Sequence, residues 1–304
     1  MGQNRLLIMK KTVTMNTKTI FRLSAVAVLI SMTSCSKNMN EELQIDPNVI
    51  RIDAVHPSSA KTRVTATGFE NNDQIGVFVT AEGSTLQAFG NSVNNGLFTY
   101  DGSKWNPIRT YYWDEGKHDI YAYYPYQEQV DNVEDMSFTV ESDQSTSAGY
   151  FKSDFLWAKA ESQQAGASAV KLTFSHIMSR VIVELVKGEK YEGEIPDNAE
   201  VTIHNVVPTA SIDISTGSAG KDNYAAAESI KMQRIANSKY AAIIVPQRID
   251  TRRPLVEVNI DNVSYLMEGV MSFKQGFQHT ITITLTANPQ QAEIEIGGGI
   301  DNWD

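Results

Sequence analysis

From Val49 onward, apolar residues recur in short runs of period two separated by turn residues, and almost nothing keeps a helical period over three turns. HTITITLT at 279–286 is the cleanest case. Ile281, Ile283 and Leu285 alternate with Thr280, Thr282, Thr284 and Thr286, which predicts a half-buried antiparallel strand with one apolar and one hydroxylated face. RVIVELV (180–186), EVTIHNVV (200–207), AAIIVP (241–246), PLVEVNI (254–260) and AEIEI (292–296) behave similarly. NVIRIDAVH at 48–56 carries Val49, Ile50, Ile52 and Val55 in an imperfect alternation that suits a first strand. In LFTYDGSKW, Asp101 and Gly102 form a two-residue loop between aromatic-rich arms, the signal of a type I′ hairpin. YAAAESIKM (224–232) has the pattern of a helical turn or two, and the glycines at 297–299 read as a flexible hinge before Trp303.

Many short strands with regular turn signals predict an all-β chain built as antiparallel β-sandwiches. Its length past residue 47 suits two domains in tandem, at 48–190 and 191–304, with the break in VKGEKYEGEIPDNAE (186–200), where Gly, Pro and charge interrupt the strand pattern.

The amino end differs in kind. Residues 1–34 carry Arg5, Lys10, Lys11, Lys18 and Arg22 and no acid, and Leu23–Met32 form an apolar run too short to span a membrane but suited to an export signal. Thr33 and Ser34 precede Cys35, the only cysteine in the chain. That arrangement reads as a lipobox, cut before an acylated Cys35, or as an ordinary secretory signal followed by an incidental thiol. Acyl chains on Cys35 would hold the precursor to a membrane, at about 0.8 kcal/mol per buried methylene. One cysteine excludes an intramolecular disulfide, so stability must come from core packing. Residues 35–47 are polar and read as a tether.

Charge narrows the function further. The whole chain carries −10, and without residues 1–34 the remaining 21 basic and 36 acidic residues leave −15. A body that acidic is repelled by phosphate backbones, so no nucleic acid is expected as a partner. His56, His118, His176, His204 and His279 are scattered without metal-ligand spacing, and no nucleophile elbow or phosphate-cradling loop is present. Neither catalytic residues nor a metal or cofactor is expected. The segment YYWDEGKHDIYAYYPY (111–126) could stack on sugars. Yet Ile120, Ala122 and Tyr124 alternate with Tyr121 and Tyr123, which favours packing between core and surface, and Trp105, Trp113 and Trp157 are read the same way.

Taken in order, IGVFV (75–79), FTYDGSKW (98–105), YYW (111–113), DIYAYYP (119–125), SDFLWAKA (153–160), LTFSHIMSRVIVEL (172–185) and the closing GFQHTITITL and IDNW resemble the Bacteroidales fimbrillin family, the type V pilins and related surface lipoproteins. The resemblance spans roughly 60–303. It implies two transthyretin-like sandwich domains, a lipoprotein precursor sent to the outer membrane, and assembly into a fimbrium at the cell surface. In the family's stalk subunits an Arg-specific protease removes the first strand, and the open groove accepts a strand from a neighbour.

On that scheme Arg63, in the Ser/Thr-rich stretch after the first strand, is the candidate maturation site, and Arg51 is the poorer one because it lies inside the strand. Cutting would expose unpaired backbone groups that another subunit's strand can satisfy. In a subunit never cut, Arg63 is simply a solvated loop residue. AEIEIGGGIDNWD, with Ile294, Ile296, Ile300 and Trp303, is either the donated strand or the last strand of the second domain. The expected partners are other fimbrial subunits through strand addition, the membrane through lipidated Cys35, and a host or bacterial surface ligand. The alternatives are a non-polymerising outer-surface lipoprotein that binds glycan and a glycoside-acting enzyme on a β-sandwich.

Overall fold

The computed structural model describes residues 45–57, 68–188, 191–288 and 293–303. The signal expected at 1–34, Cys35 and Arg63 lie outside them. The first part of the chain forms β1 (Ile52–Val55), β2 (Gln74–Ala81), β3 (Val93–Tyr100), β4 (Trp105–Pro107), β5 (His118–Tyr124), β6 (Met136–Thr139), a short helix α1 (Ser147–Lys152), β7 (Leu156–Gln163), β8 (Val170–Thr173) and β9 (Ser175–His176). Then follow β10 (Ser179–Lys187), β11 (Glu200–Val206), β12 (Thr209–Asp213), β13 (Ser218–Lys221), β14 (Glu228–Lys231), β15 (Gln233–Ala236) and β16 (Lys239–Ile244). The last four are β17 (Gln247–Ile260), β18 (Val263–Phe273), β19 (Phe277–Leu285) and β20 (Glu293–Asn302). The chain is all-β, as its period-two pattern requires.

Two cores organise these strands. The six-stranded sheet β4-β3-β2-β5-β7-β9 is buried on both faces in its middle. One face sends Ile75, Val77, Val79, Ile120 and Ala122 into a core shared with Ile50, Ile52, Leu172 and Phe174. The other sends Phe78, Tyr121 and Tyr123 into a second core, where Tyr123 stacks on Phe155 and Phe138 meets the Phe155 ring edge-on. Central strands covered on both sides read as near-continuous apolar runs, and this is why IGVFV lacks alternation. The packing of β5 between core and surface, expected from its alternation, is corrected: Tyr121 and Tyr123 are buried as well as Ile120 and Ala122, so both of its faces meet a core.

The second core continues into the sheets β15-β16-β10-β19-β20 and β14-β11-β17-β18 and the three-stranded β13-β12-β6. In β19, Ile281, Ile283 and Leu285 are fully buried and alternate with half-exposed threonines, as expected. Its ladder to β10 is parallel, however, and only the one to β20 is antiparallel. β10 pairs on both sides with later strands, and β6 pairs with β12, so ladders tie the earlier half to the later one. Trp157 adds a side-chain tie. Its indole Nε1 donates to the Ile214 carbonyl at 2.7 Å, and its ring lies over Gly217 (φ +69°), where a Cβ would come within 2.4 Å of it.

Three local expectations are corrected. The helical turns read at 224–232 are absent: Glu228–Lys231 is a strand, because Ile230 and Met232 point into the core while Ser229 and Lys231 point out. The helix lies instead at Ser147–Lys152, capped by the Thr146 hydroxyl accepting from Gly149 N. The hairpin at Asp101-Gly102 forms without a type I′ turn. Tyr100 and Trp105 pair across residues 101–104, and of these only Gly102 has positive φ. The Asp101 carboxylate holds that loop by accepting from Lys104 N, Asn106 Nδ2 and Ser103, and these bonds keep it below the usual carboxylate range. Finally, the triple glycine is no hinge: Gly299 pairs with Thr280 and Ile296 with Ile281, leaving Gly297 and Gly298 as a bulge within β20.

Candidate functional site

The seat of the first strand is built from three distant segments. Asp46 starts it, its carboxylate accepting from Asn48 N at 2.9 Å. The chain then runs along Tyr111–Trp113: Ile50 N donates to Tyr111 O at 2.9 Å, and Trp113 N donates to Asn48 O at 2.8 Å. At Arg51 it changes partner. Val170 N donates to Arg51 O at 2.8 Å, β1 runs parallel to β8 from Ile52↔Val170 to Val55↔Thr173, and Phe174 N closes the ladder on Val55 O at 3.0 Å. β1 is the only strand paired with β8 among the described residues.

Of the four residues expected to fix this strand, Ile50 and Ile52 are buried at 1% and 5% exposure, whereas Val49 and Val55 are half-buried. Two buried isoleucines contribute about 1.5–3 kcal/mol each, so the strand is held by its Ile50–Ile52 face. Arg51 is engaged: Nη1 donates to Asp46 O at 3.1 Å and Nη2 to Gly166 O at 2.8 Å.

Where the strand ends, rings converge. His56 meets Phe69 edge-on at 5.0 Å and His176 at 5.9 Å, and Phe69 packs against Trp105, Tyr124 and Phe174. Burial lowers the His56 pKa to about 4; the Asp154 charge opposes this and His176 adds to it. A cavity of about 80 Å³ lies here between His56, Phe69, Asp73, Tyr124, Phe151 and Asp154. Burial raises Asp73, opposed chiefly by its bond from Glu70 N; burial, reinforced by the neighbouring Asp73 carboxylate, raises the Tyr124 hydroxyl.

The carboxy-terminal segment reaches the same place. β20 pairs along β19 in its own chain, with Ile294 opposite Ile283, Ile296 opposite Ile281 and Ile300 opposite His279. Trp303 N donates to Gly276 O at 3.0 Å. The Trp303 indole lies flat on His176, whose Nδ1 is 3.0 Å from the Asp154 carboxylate. His176 is a hydrogen-bonded strand residue rather than a metal ligand, and no local signal in the sequence brings His56, His176 and Trp303 together.

The remaining candidates are structural. Trp105 is buried, and Trp113 and Trp157 are half-buried. Within 111–126 the Tyr112 ring is exposed, Trp113, Tyr124 and Tyr126 are half-buried, and Tyr111, Tyr121 and Tyr123 are buried. His204 sits in a row across four strands on the outer sheet face: Ser229 Oγ lies 2.7 Å from Nδ1, Glu257 Oε2 lies 3.0 Å from Nε2, and Ser264 Oγ donates to Glu257 Oε1. These bonds, the one from Ser264 foremost, lower the Glu257 pKa. Such a row fastens neighbouring strands together. Among the described residues, no three His, Cys, Asp or Glu side chains are placed to hold a metal ion, and no helix is long and apolar enough to cross a membrane.

Comparison with known proteins places this architecture. A candidate fimbrium tip subunit of Bacteroides ovatus, Fim1C, is 28% identical over 181 residues, which cover 52% of this chain and 33% of that protein; the chain thus spans about a third of the curated relative it matches. A solved structure of a candidate cell adhesion protein from Bacteroides ovatus superposes with a TM-score of 0.68 at 18% identity, covering 84% of this chain and 98% of that one. Another, from Bacteroides uniformis, does so at 0.62 and 18%, with the same coverage. At such identities the likeness is one of fold. Residues 62–303, well over half the chain, match the fimbrillin-like family model, and the chain belongs to that family.

Proposed function

We propose that the protein is a subunit of a surface fimbrium, structural and adhesive rather than enzymatic, whose first strand occupies a groove that a neighbouring subunit's strand fills after assembly. The observation that carries this reading is the seat of residues 48–55: one short strand, parallel to a β8 that pairs with no other described strand, over the core it shares with the six-stranded sheet. The family match begins at residue 62, beyond this strand, which suits a segment not shared by the mature body. On this reading Cys35 carries the lipid that takes the precursor to the outer membrane, and cleavage after Arg63 removes anchor and first strand together. Arg51, tied to two carbonyls within the strand, is the poorer cleavage site.

The body corresponds to two transthyretin-like sandwiches in tandem. The pairing of β10 with β16 and β19 favours a seam just before Ser179, earlier than the Gly- and Pro-rich stretch near 190. Donation of β20 requires that it leave β19, and its full ladder at home favours a tip or anchor subunit, or a stalk subunit before assembly.

Intact-mass and amino-terminal analysis of protein from its native cells tests the reading. A start at Val64 supports cleavage and polymerisation, and an acylated Cys35 with residues 36–63 retained supports an anchor. An unmodified Cys35 with no cut at Arg63 refutes both.

A further inference from the structure

We propose that the first strand and the carboxy-terminal strand are energetically coupled through His176, so that undocking of one loosens the other. Val55, the last residue of β1, accepts from Phe174 N, and His176 lies two residues beyond in β9. His56, which follows β1, sets its ring against the His176 imidazole. Trp303 covers that imidazole at 3.9 Å with planes 4° apart, and Asp154 fixes its Nδ1. His176 is 5% exposed, so its ring has little room to turn without disturbing either neighbour.

The end of β20 beyond its bulge is tied to the turn at Gly276, and Trp303 also packs against the second core. Gly297 and Gly298 interrupt the ladder, and past them the strand end is tied by the pairs from Thr280↔Gly299 to Phe277↔Asn302, by Trp303 N on Gly276 O and by the ring stack. The turn it rests on belongs to the same unit, since Gly276 N donates to Met178 O, two residues past His176. Loss of the first strand takes away the His56 ring beside His176 and the acceptor of Phe174 N, and the segment 174–178 that carries the stack is then less constrained. Loss of Trp303 uncovers the same imidazole from the other side. Coupling between sites is reciprocal, so each loss must act on the other by the same factor.

This inference takes from the proposed function only the idea that both strands can leave their places. In that setting, removal of the first strand at maturation would prime the opposite end of the chain for release.

The test is residue-resolved amide exchange on the full chain. In His56→Ala the Trp303 amide should exchange about fivefold faster, the low end of typical coupling, and in Trp303→Ala the Phe174 and Val170 amides should speed up by the same factor. In a His176→Ala background the two substitutions should act independently. The Ile281 and Ile283 amides of β19 report that the fold is intact. Where Trp303→Ala unfolds the chain, Trp303→Phe keeps a stacked ring and should keep Phe174 protected. A Trp303 amide unaffected by His56→Ala, or a Phe174 amide unaffected by Trp303→Ala, overturns the proposal. The outcome is separable from the assembly reading. Coupling found in a chain that native cells neither acylate at Cys35 nor cut at Arg63 leaves the inference standing and removes that reading, and a native start at Val64 without coupling does the reverse.

Discussion

The indole of Trp303 and the imidazole of His176 lie face to face, 3.9 Å between centroids and 4° from parallel, joining the end of the last strand to the edge strand of the six-stranded sheet. A stacked aromatic pair contributes about 0.5–1.5 kcal/mol beyond its buried area. Trp303→Ala should therefore cost about 2 kcal/mol in urea unfolding once lost packing is included, and Trp303→Phe well under half of that. Equal losses for the two would show that the stack itself contributes nothing.

The first strand should show a strict division between its faces. Ile50→Ala and Ile52→Ala remove buried side chains and should each cost about 2–4 kcal/mol. Val55→Ala, at a half-buried position, should cost about 1 kcal/mol or less. Denaturation midpoints of the single variants check the order, and a Val55 effect as large as that of Ile50 would mean the strand is seated the other way round.

Acid should loosen this region through His56. Its pKa is lowered to about 4 in the folded protein, against about 6.5 when free, so below pH 6.5 the unfolded chain binds a proton that the folded one refuses. Stability then falls with pH from about 6.5 to about 4 and levels off below that. The full shift corresponds to about 3 kcal/mol, and partial solvent access reduces it to roughly 1–2 kcal/mol. Asp73, raised by burial, acts in the opposite sense, so the informative quantity is the difference between the natural chain and His56→Gln. That difference should shrink as pH drops through this window; a constant difference would remove His56 as the cause.

Gly217 should tolerate nothing larger. Its φ of +69° is unfavourable for a side chain, and a Cβ would meet the Trp157 ring at 2.4 Å. Gly217→Ala should cost about 3 kcal/mol or more. The added substitution Trp157→Leu should recover part of that, leaving the cost of the backbone. Calorimetric midpoints of the single and double variants decide it, and no recovery would place the whole penalty in the backbone.

Much of the fold is legible in the sequence because strand burial is written at spacing two. Ile281, Ile283 and Leu285 declare β19 outright, whereas Val49, Ile50, Ile52 and Val55 mark the first strand without showing that Ile50 and Ile52 alone form its buried face. What alternation does not carry is the partner: β19 lies parallel to β10, a choice made by topology. Where both faces are covered, alternation no longer marks a surface, so β5 reads as a strand between core and solvent although a second core takes Tyr121 and Tyr123. Helix-forming alanines before Glu228 disguise a strand whose Ile230 and Met232 are claimed by the core. The convergence of His56, His176 and Trp303 leaves no local trace at all, because it follows from three separate strand ends meeting in space.

The central claim is that residues 48–55 are a replaceable occupant of their groove, and the most direct measurement is exchange after cleavage. The full chain, cut by an Arg-specific protease and mixed with an excess of isotope-labelled peptide spanning residues 46–57, is followed by native mass spectrometry. The account predicts a cut after Arg63 and stepwise replacement of the chain's own first strand by the labelled peptide, at a stoichiometry of one. A fragment that stays bound without exchange, or a groove that takes up no peptide once the fragment has left, would contradict it.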